Sequence, residues 1–137
     1  MSLLTEIDHV AIAVRDLDAA VRWYRTVFGA EVAHREMVDF DGVEEVLLGV
    51  AESYVQLLAP IRPDSTVARF LDRRGEGLHH IAYRVDDCTA ALEAAVAAGA
   101  RAIDASPQPG GRGTRVAFLH PTGAFGTLIE LVEVPVR

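Results

Sequence analysis

Apolar and polar residues alternate from Ile7 to Val14. This predicts a strand with Ile7, His9, Ala11 and Ala13 on one face and Val10, Ile12 and Val14 on the other. From Leu17 the period lengthens. Leu17, Ala20, Val21, Tyr24 and Phe28 make a helical stripe, with Asp16 placed to cap its start and Gly29 its end. Three more strands are predicted near Glu31–Val38, Val43–Val50 and Tyr54–Leu58, the first two joined by an Asp41-Gly42 hairpin turn. Pro60 to Asp64 has no period and reads as a linker; Ser65 then caps a short helix over Thr66–Arg74, which Gly75 ends.

The same order then repeats. A shift of 71 places lays His9 on His80, Val14 on Val85, Asp16 on Asp87 and Ala20 on Ala91, and after one gap Gly29-Ala30 falls on Gly99-Ala100. A tandem duplication follows. Leu78–Val85 is its first strand, Asp87 caps a helix through Leu92 and Val96 that ends at Gly99, and short strands are predicted near Arg101–Ile103, Arg115–Leu119 and Leu128–Val134. The glycine-rich run Pro107 to Gly113 is expected to be the loosest segment, either a bland connection or a lid over a ligand. Each half reads β-α-β-β-β. The predicted class is α+β, a single domain over 1–137: one module at about 6–60, a linker and short helix at 61–76, and a second module at about 77–135. Neither half buries both faces of its sheet, so the helices are expected on the outer face, with a curved mixed sheet enclosing the other.

Composition narrows the partners. A formal net charge of −7 argues against nucleic acid or an anionic membrane. The single Cys88 excludes an internal disulfide framework and suits a reducing cytoplasm. Met1 to Glu6 lacks the basic flank and apolar core of a secretion signal, and no apolar run approaches the length of a bilayer span.

The duplication brings a set of donors into matched places. His9 and His80 sit on the first strand of each half; Gln56 and Glu130 sit on the last, in Tyr-Val-Gln-Leu-Leu and Leu-Ile-Glu-Leu-Val. A carboxylate between Ile129 and Leu131 on a core strand is costly unless paired or metal-bound. Two imidazoles, an amide oxygen and a carboxylate suit a divalent ion of the Mn, Co, Fe or Zn kind, so His9, Gln56, His80 and Glu130 are the expected metal ligands. His79 alternates away from His80 and is read as a satisfied core or surface residue, as are His34 and His120, and Cys88 as a packed small side chain. One of the neighbouring Glu44 and Glu45 must face the enclosed side. The apolar partners of Glu44 place it on the helix side, which favours Glu45, unless that strand end is solvated and both are surface charges.

With these residues in place, the doubled plan resembles the vicinal oxygen chelate superfamily. Within it, Asp-Ser-Thr-Val-Ala-Arg-Phe-Leu (64–71), Gly-Glu-Gly-Leu-His-His-Ile-Ala (75–82), Val-Ala-Phe-Leu-His-Pro (116–121) and Leu-Ile-Glu-Leu-Val (128–132) resemble the methylmalonyl-CoA epimerases. The likeness spans Ile7 to about Glu133. It implies metal ligands at His9, Gln56, His80 and Glu130, a cofactor that is a divalent ion (Co, Mn, Mg, Zn and Ni not distinguished), an acyl-CoA substrate, a cytoplasmic homodimer, and Glu45 as a second carboxylate after Asp41-Gly42-Val43. Asp41 stands where the family has Gln, and Thr122 to Gly126 lacks the lysine that members often carry there. The implied reaction interconverts (2R)- and (2S)-methylmalonyl-CoA, with Glu45 and Glu130 as the two acid/base groups. The same scaffold also serves a glyoxalase I-type lyase, a ring-cleaving dioxygenase and metal-free drug-binding proteins. Four matched donors argue against the last of these.

Overall fold

The computed structural model describes residues 2–136. Its elements are β1 (Glu6–Ala13), α1 (Leu17–Phe28), β2 (Val32–Val38), β3 (Val43–Val50), β4 (Ser53–Pro60), α2 (Thr66–Arg74), β5 (Gly77–Arg84), α3 (Cys88–Ala97), β6 (Gln108–Pro109), β7 (Arg115–Leu119) and β8 (Ile129–Glu133). The β-α-β-β-β order occurs twice with α2 between, as the periodicity predicts, and the α+β class is borne out. The chain divides into two compact units: His9–His79, and a second made of the residues up to Asp8 with those from His80 onward.

In His9–His79 the strand order is β2-β3-β4-β1. The sheet is mixed: β1 runs parallel to β4, while β2, β3 and β4 are antiparallel in turn. Asp16 starts α1 by accepting the Ala19 N–H at 3.0 Å, and Gly29 ends it in the left-handed region, φ 66°. Leu17 and Val21 of α1 pack on Val46, Leu48 and Leu57, which are almost wholly buried. Each such side chain contributes about 1.5–3 kcal/mol of burial free energy. On the opposite face, α2 packs Val67 and Leu71 against Ala11, Ala13, Val43 and Leu58. Strand β3 is therefore buried on both sides, and any polar group on its α2-facing side is removed from water.

In the second unit the order is β1-β5-β8-β7-β6, with β5 parallel to β8. Asp87 accepts the Ala90 N–H at 3.0 Å, and α3 lies on Leu131, Ala117 and Leu119. The strand expected at Arg101–Ile103 is reduced to one bridge, Ala102 with Leu119. Asp104 gives the reason: its carboxylate takes the Phe118 N–H at 2.8 Å, a ladder position that a strand backbone would fill. The ladder resumes at β6, inside the segment expected to be loosest. There Gln108 and Pro109 pair with Val116 and Arg115. Among the described residues, no helix is long and apolar enough to cross a membrane.

Cys88 opens α3 fully buried, its thiol 3.7 Å from the Leu131 carbonyl and its N–H donating to Glu133 at 2.8 Å. Burial, with the Glu133 carboxylate beside it, pushes the thiol from 9.0 up to about 11. The packing role expected of it holds. Because the folded value is raised, the stability it contributes is complete below pH 9 and is lost as pH rises toward 11. Urea midpoints followed from pH 8 to 11 should fall more steeply for the native chain than for Cys88→Ala, and the native thiol should resist alkylation at pH 8. Parallel curves, or rapid alkylation of folded protein, would contradict this.

Candidate active site

Strand alternation and register fix where the expected donors lie. In His9–His79, Ala11 is paired with Gln56, and Gln56 with Leu47; Glu45 is paired with Leu58. Paired residues share a face. His9, Glu45 and Gln56 therefore lie on the side that carries Ala11, Ala13 and Leu58, opposite α1, and all three are buried. In the second unit, Ala82 is paired with Glu130, and Glu130 with Phe118, so His80 and Glu130 share the face of Ala82 and Val132, opposite α3. The correspondence holds residue for residue. Each half sets a histidine two places before an alanine, and that alanine stands beside the Gln or Glu of its last strand.

The contacts refine this picture. His80 Nε2 lies 3.2 Å from Glu130 Oε1, and its ring meets Phe118 edge-on at 5.3 Å, which holds the imidazole plane. Gln56 Nε2 donates to Glu45 Oε2 at 3.4 Å, while Gln56 Oε1 is buried with no hydrogen-bond donor among the described residues. An orphaned buried acceptor costs on the order of 1–3 kcal/mol. A cation ligating that oxygen removes the cost, and imidazole, carboxylate and amide oxygen are the donors such an ion takes. The residues present fit a divalent ion.

The Glu44 or Glu45 alternative is resolved by the helix side. Arg35 binds Glu44 at 2.9 Å and Asp18 of α1 at 2.8 Å, and the two carboxylates push its guanidinium pKa up. Glu44 thus belongs to the α1 face, and Glu45 is the inward carboxylate, only 4 % exposed.

Of the histidines read as satisfied core or surface residues, His79 stacks edge-on against Phe70 at 4.9 Å, and His120 caps the turn Pro121–Gly123 by accepting the Thr122 N–H at 3.1 Å. His34 differs from both. It is paired across the ladder with Leu47 and so stands on the Glu45 side, 2.6 Å from Glu36. Its neighbour-free sequence context, Ala33 and Arg35, gave no signal of that placement. Asp8 was also unanticipated. It is fully buried and bound by Arg84 and Arg112, each at 2.7 Å. Through Arg112 the glycine-rich segment is pinned to β1.

Set beside known proteins, residues 8–118 match the model of the Glyoxalase/Bleomycin resistance protein/Dioxygenase superfamily. The chain is 38% identical over 134 residues to an ethylmalonyl-CoA/methylmalonyl-CoA epimerase of Cereibacter sphaeroides, covering 96% of this chain and 100% of that protein. It superimposes on the crystal structure of methylmalonyl-CoA epimerase from Mycobacterium tuberculosis with a TM-score of 0.95 at 40% identity, covering 99% and 92% of the two chains. A variant of the Streptomyces coelicolor methylmalonyl-CoA epimerase, in complex with 2-nitronate-propionyl-CoA, matches with a TM-score of 0.93 at 41% identity, covering 97% and 99%. A fold, a face-by-face duplication and a full-length likeness of this extent agree: the chain belongs to the Glyoxalase/Bleomycin resistance protein/Dioxygenase superfamily.

Proposed function

We propose that this protein interconverts (2R)- and (2S)-methylmalonyl-CoA, removing the α-proton on one face and returning a proton on the other. One observation carries the reading. The two halves repeat each other at the His and Gln/Glu positions and differ at Glu45, whose counterpart in the second unit, two residues before Phe118, is Val116. A purely structural or sequestering site gains nothing from one extra buried carboxylate, whereas inversion at carbon requires two proton-transfer groups, one for each face. The relatives named for this reaction, matched over nearly the whole chain, support the substrate class.

In this reading His9, Gln56, His80 and Glu130 would hold one divalent ion, which would supply Lewis-acid stabilisation of the negative charge that develops as the α-proton leaves. His9, His80 and Glu130 support the assignment as buried side chains that can serve an ion as a group. Glu45 takes the α-proton of one epimer as a carboxylate; Glu130, protonated, returns a proton on the opposite face, and the roles reverse for the other epimer. The Gln56 amide N–H, donating to Glu45 Oε2, holds that carboxylate in one orientation while its oxygen serves as ligand. Burial of both carboxylates excludes water that would otherwise quench the enolate. The two modules act as one catalytic domain, assembled as a homodimer, and the lone thiol Cys88 accords with a cytoplasmic setting.

Two measurements test this. His9→Ala and His80→Ala should each lose the ion from purified protein, while His79→Ala retains it at wild-type stoichiometry; full metal content in both of the first two variants removes the ligand assignment. Glu45→Gln should keep its metal yet lose epimerisation by a factor on the order of a hundred to ten thousand, the usual range for a positioned proton-transfer group. Wild-type inversion of methylmalonyl-CoA by that variant would place the second base elsewhere.

A further inference from the structure

A base that takes a substrate proton must pass it on before it can act again in the same direction, and Glu45 is buried. The same sheet face continues from Glu45 toward water. Glu36 on β2 is the direct cross-strand partner of Glu45, and His34 on the same face lies 2.6 Å, Nε2 to Oε1, from Glu36. Directly opposed side chains in an antiparallel ladder hold their Cβ atoms about 4.5–5.5 Å apart, close enough for two carboxylates to share a proton. Strand β2 is the edge of its sheet. Exposure steps up from Glu45 to this pair: Glu45 is 4 % exposed, whereas the side chains of Glu36 and His34 are 35 % and 34 % exposed.

Two opposed carboxylates on a strand pair are unfavourable as like charges. The fold does not require them. In the second unit the residue paired with Val116 is Gln108, so the corresponding ladder is built without acids. The acidic pair and its histidine occur where Glu45 occurs and are absent where it is replaced.

We propose that Glu36 and His34 are positioning residues that carry protons between Glu45 and water; this rests on the reading of Glu45 as a base. After abstraction, protonated Glu45 gives its proton to the Glu36 carboxylate. Glu36 passes a proton to neutral His34 at Nε2, the imidazolium releases its Nδ1 proton to water, and tautomer exchange through water returns the ring proton from Nε2 to Nδ1 before the next cycle. One proton enters and one leaves, and Glu45 returns to its carboxylate form. Neither residue touches the reacting carbon.

The test uses metal-replete enzyme in deuterium oxide with each epimer of methylmalonyl-CoA separately, following deuterium in recovered, uninverted substrate beside inversion. For the epimer whose hydrogen faces Glu45, the wild type should return deuterated substrate, because Glu45 exchanges its proton before giving one back. In His34→Ala, His34→Gln and Glu36→Gln, that substrate should come back carrying its original hydrogen, with deuterium wash-in reduced about tenfold or more, a smaller loss than removal of the base itself. The opposite epimer, served by Glu130, should exchange as in wild type, and added imidazole should restore wash-in to His34→Ala. The single-face effect separates a proton path from general damage. Equal wash-in by wild type and all three variants overturns the path, as does a loss that is equal for both epimers and unrelieved by imidazole. A wild-type enzyme that inverts neither epimer overturns the epimerase reading instead.

Discussion

Burying polar side chains on a sheet face is the constraint on which the rest of this structure depends. An unpaired buried acceptor or carboxylate costs several kcal/mol, comparable to a large part of the net stability of a domain this size. Here the helices α1 and α3 cover mainly apolar faces, and much of the cost falls on the opposite faces, where Gln56 answers Glu45 and His80 answers Glu130 within hydrogen-bonding distance. On the face of Glu45, the Gln56 Oε1 atom is left without a hydrogen-bond donor among the described residues. One ligand oxygen left unanswered on such a face is the feature on which the proposed cation site rests.

Duplication explains how such a face arises and why it works as chemistry. Repeating one module places the same donor types at the same register twice, which yields a matched set of donors without separate invention of each. The proposed inversion of a carbon needs two proton-transfer groups, and the departure from symmetry, Glu45 in one half against Val116 in the other, is what the proposal assigns as the extra one. The Gln56 amide N–H donates to Glu45 Oε2 at 3.4 Å.

Much of this was legible in the chain because it depends on short periods. A two-residue period fixes which of His79 and His80 faces inward, and a fixed repeat offset pairs His9 with His80. The aspartate caps and terminal glycines mark the helices to within a residue. What escaped depends on contacts distant in sequence. Asp104 replaces a stretch of ladder by binding the Phe118 N–H, which no local propensity encodes. His34 shares a face with Glu36 by simple alternation, but that this face is the Glu45 side is set by the pairing of β2 with β3, a contact between strands.

Asp8 is the clearest case of a residue whose role is invisible to pattern. Alternation assigns it to the face of Val10 and Ile12, an unlikely place for a carboxylate, and it is fully buried. Its two oxygens are taken by Arg84 of β5 and by Arg112, which comes from the segment between β6 and β7, and Arg84 also holds Glu6 at 2.8 Å. Removing one partner from such a group leaves an uncompensated buried charge and costs about 3–5 kcal/mol. The start of β1, the partner strand β5 and the glycine-rich turn are therefore tied at one point, immediately before His9 in the chain. A segment whose composition reads as mobile is held by an ion pair to the residue that precedes His9, so the order of that loop and the placement of β1 depend on the same carboxylate.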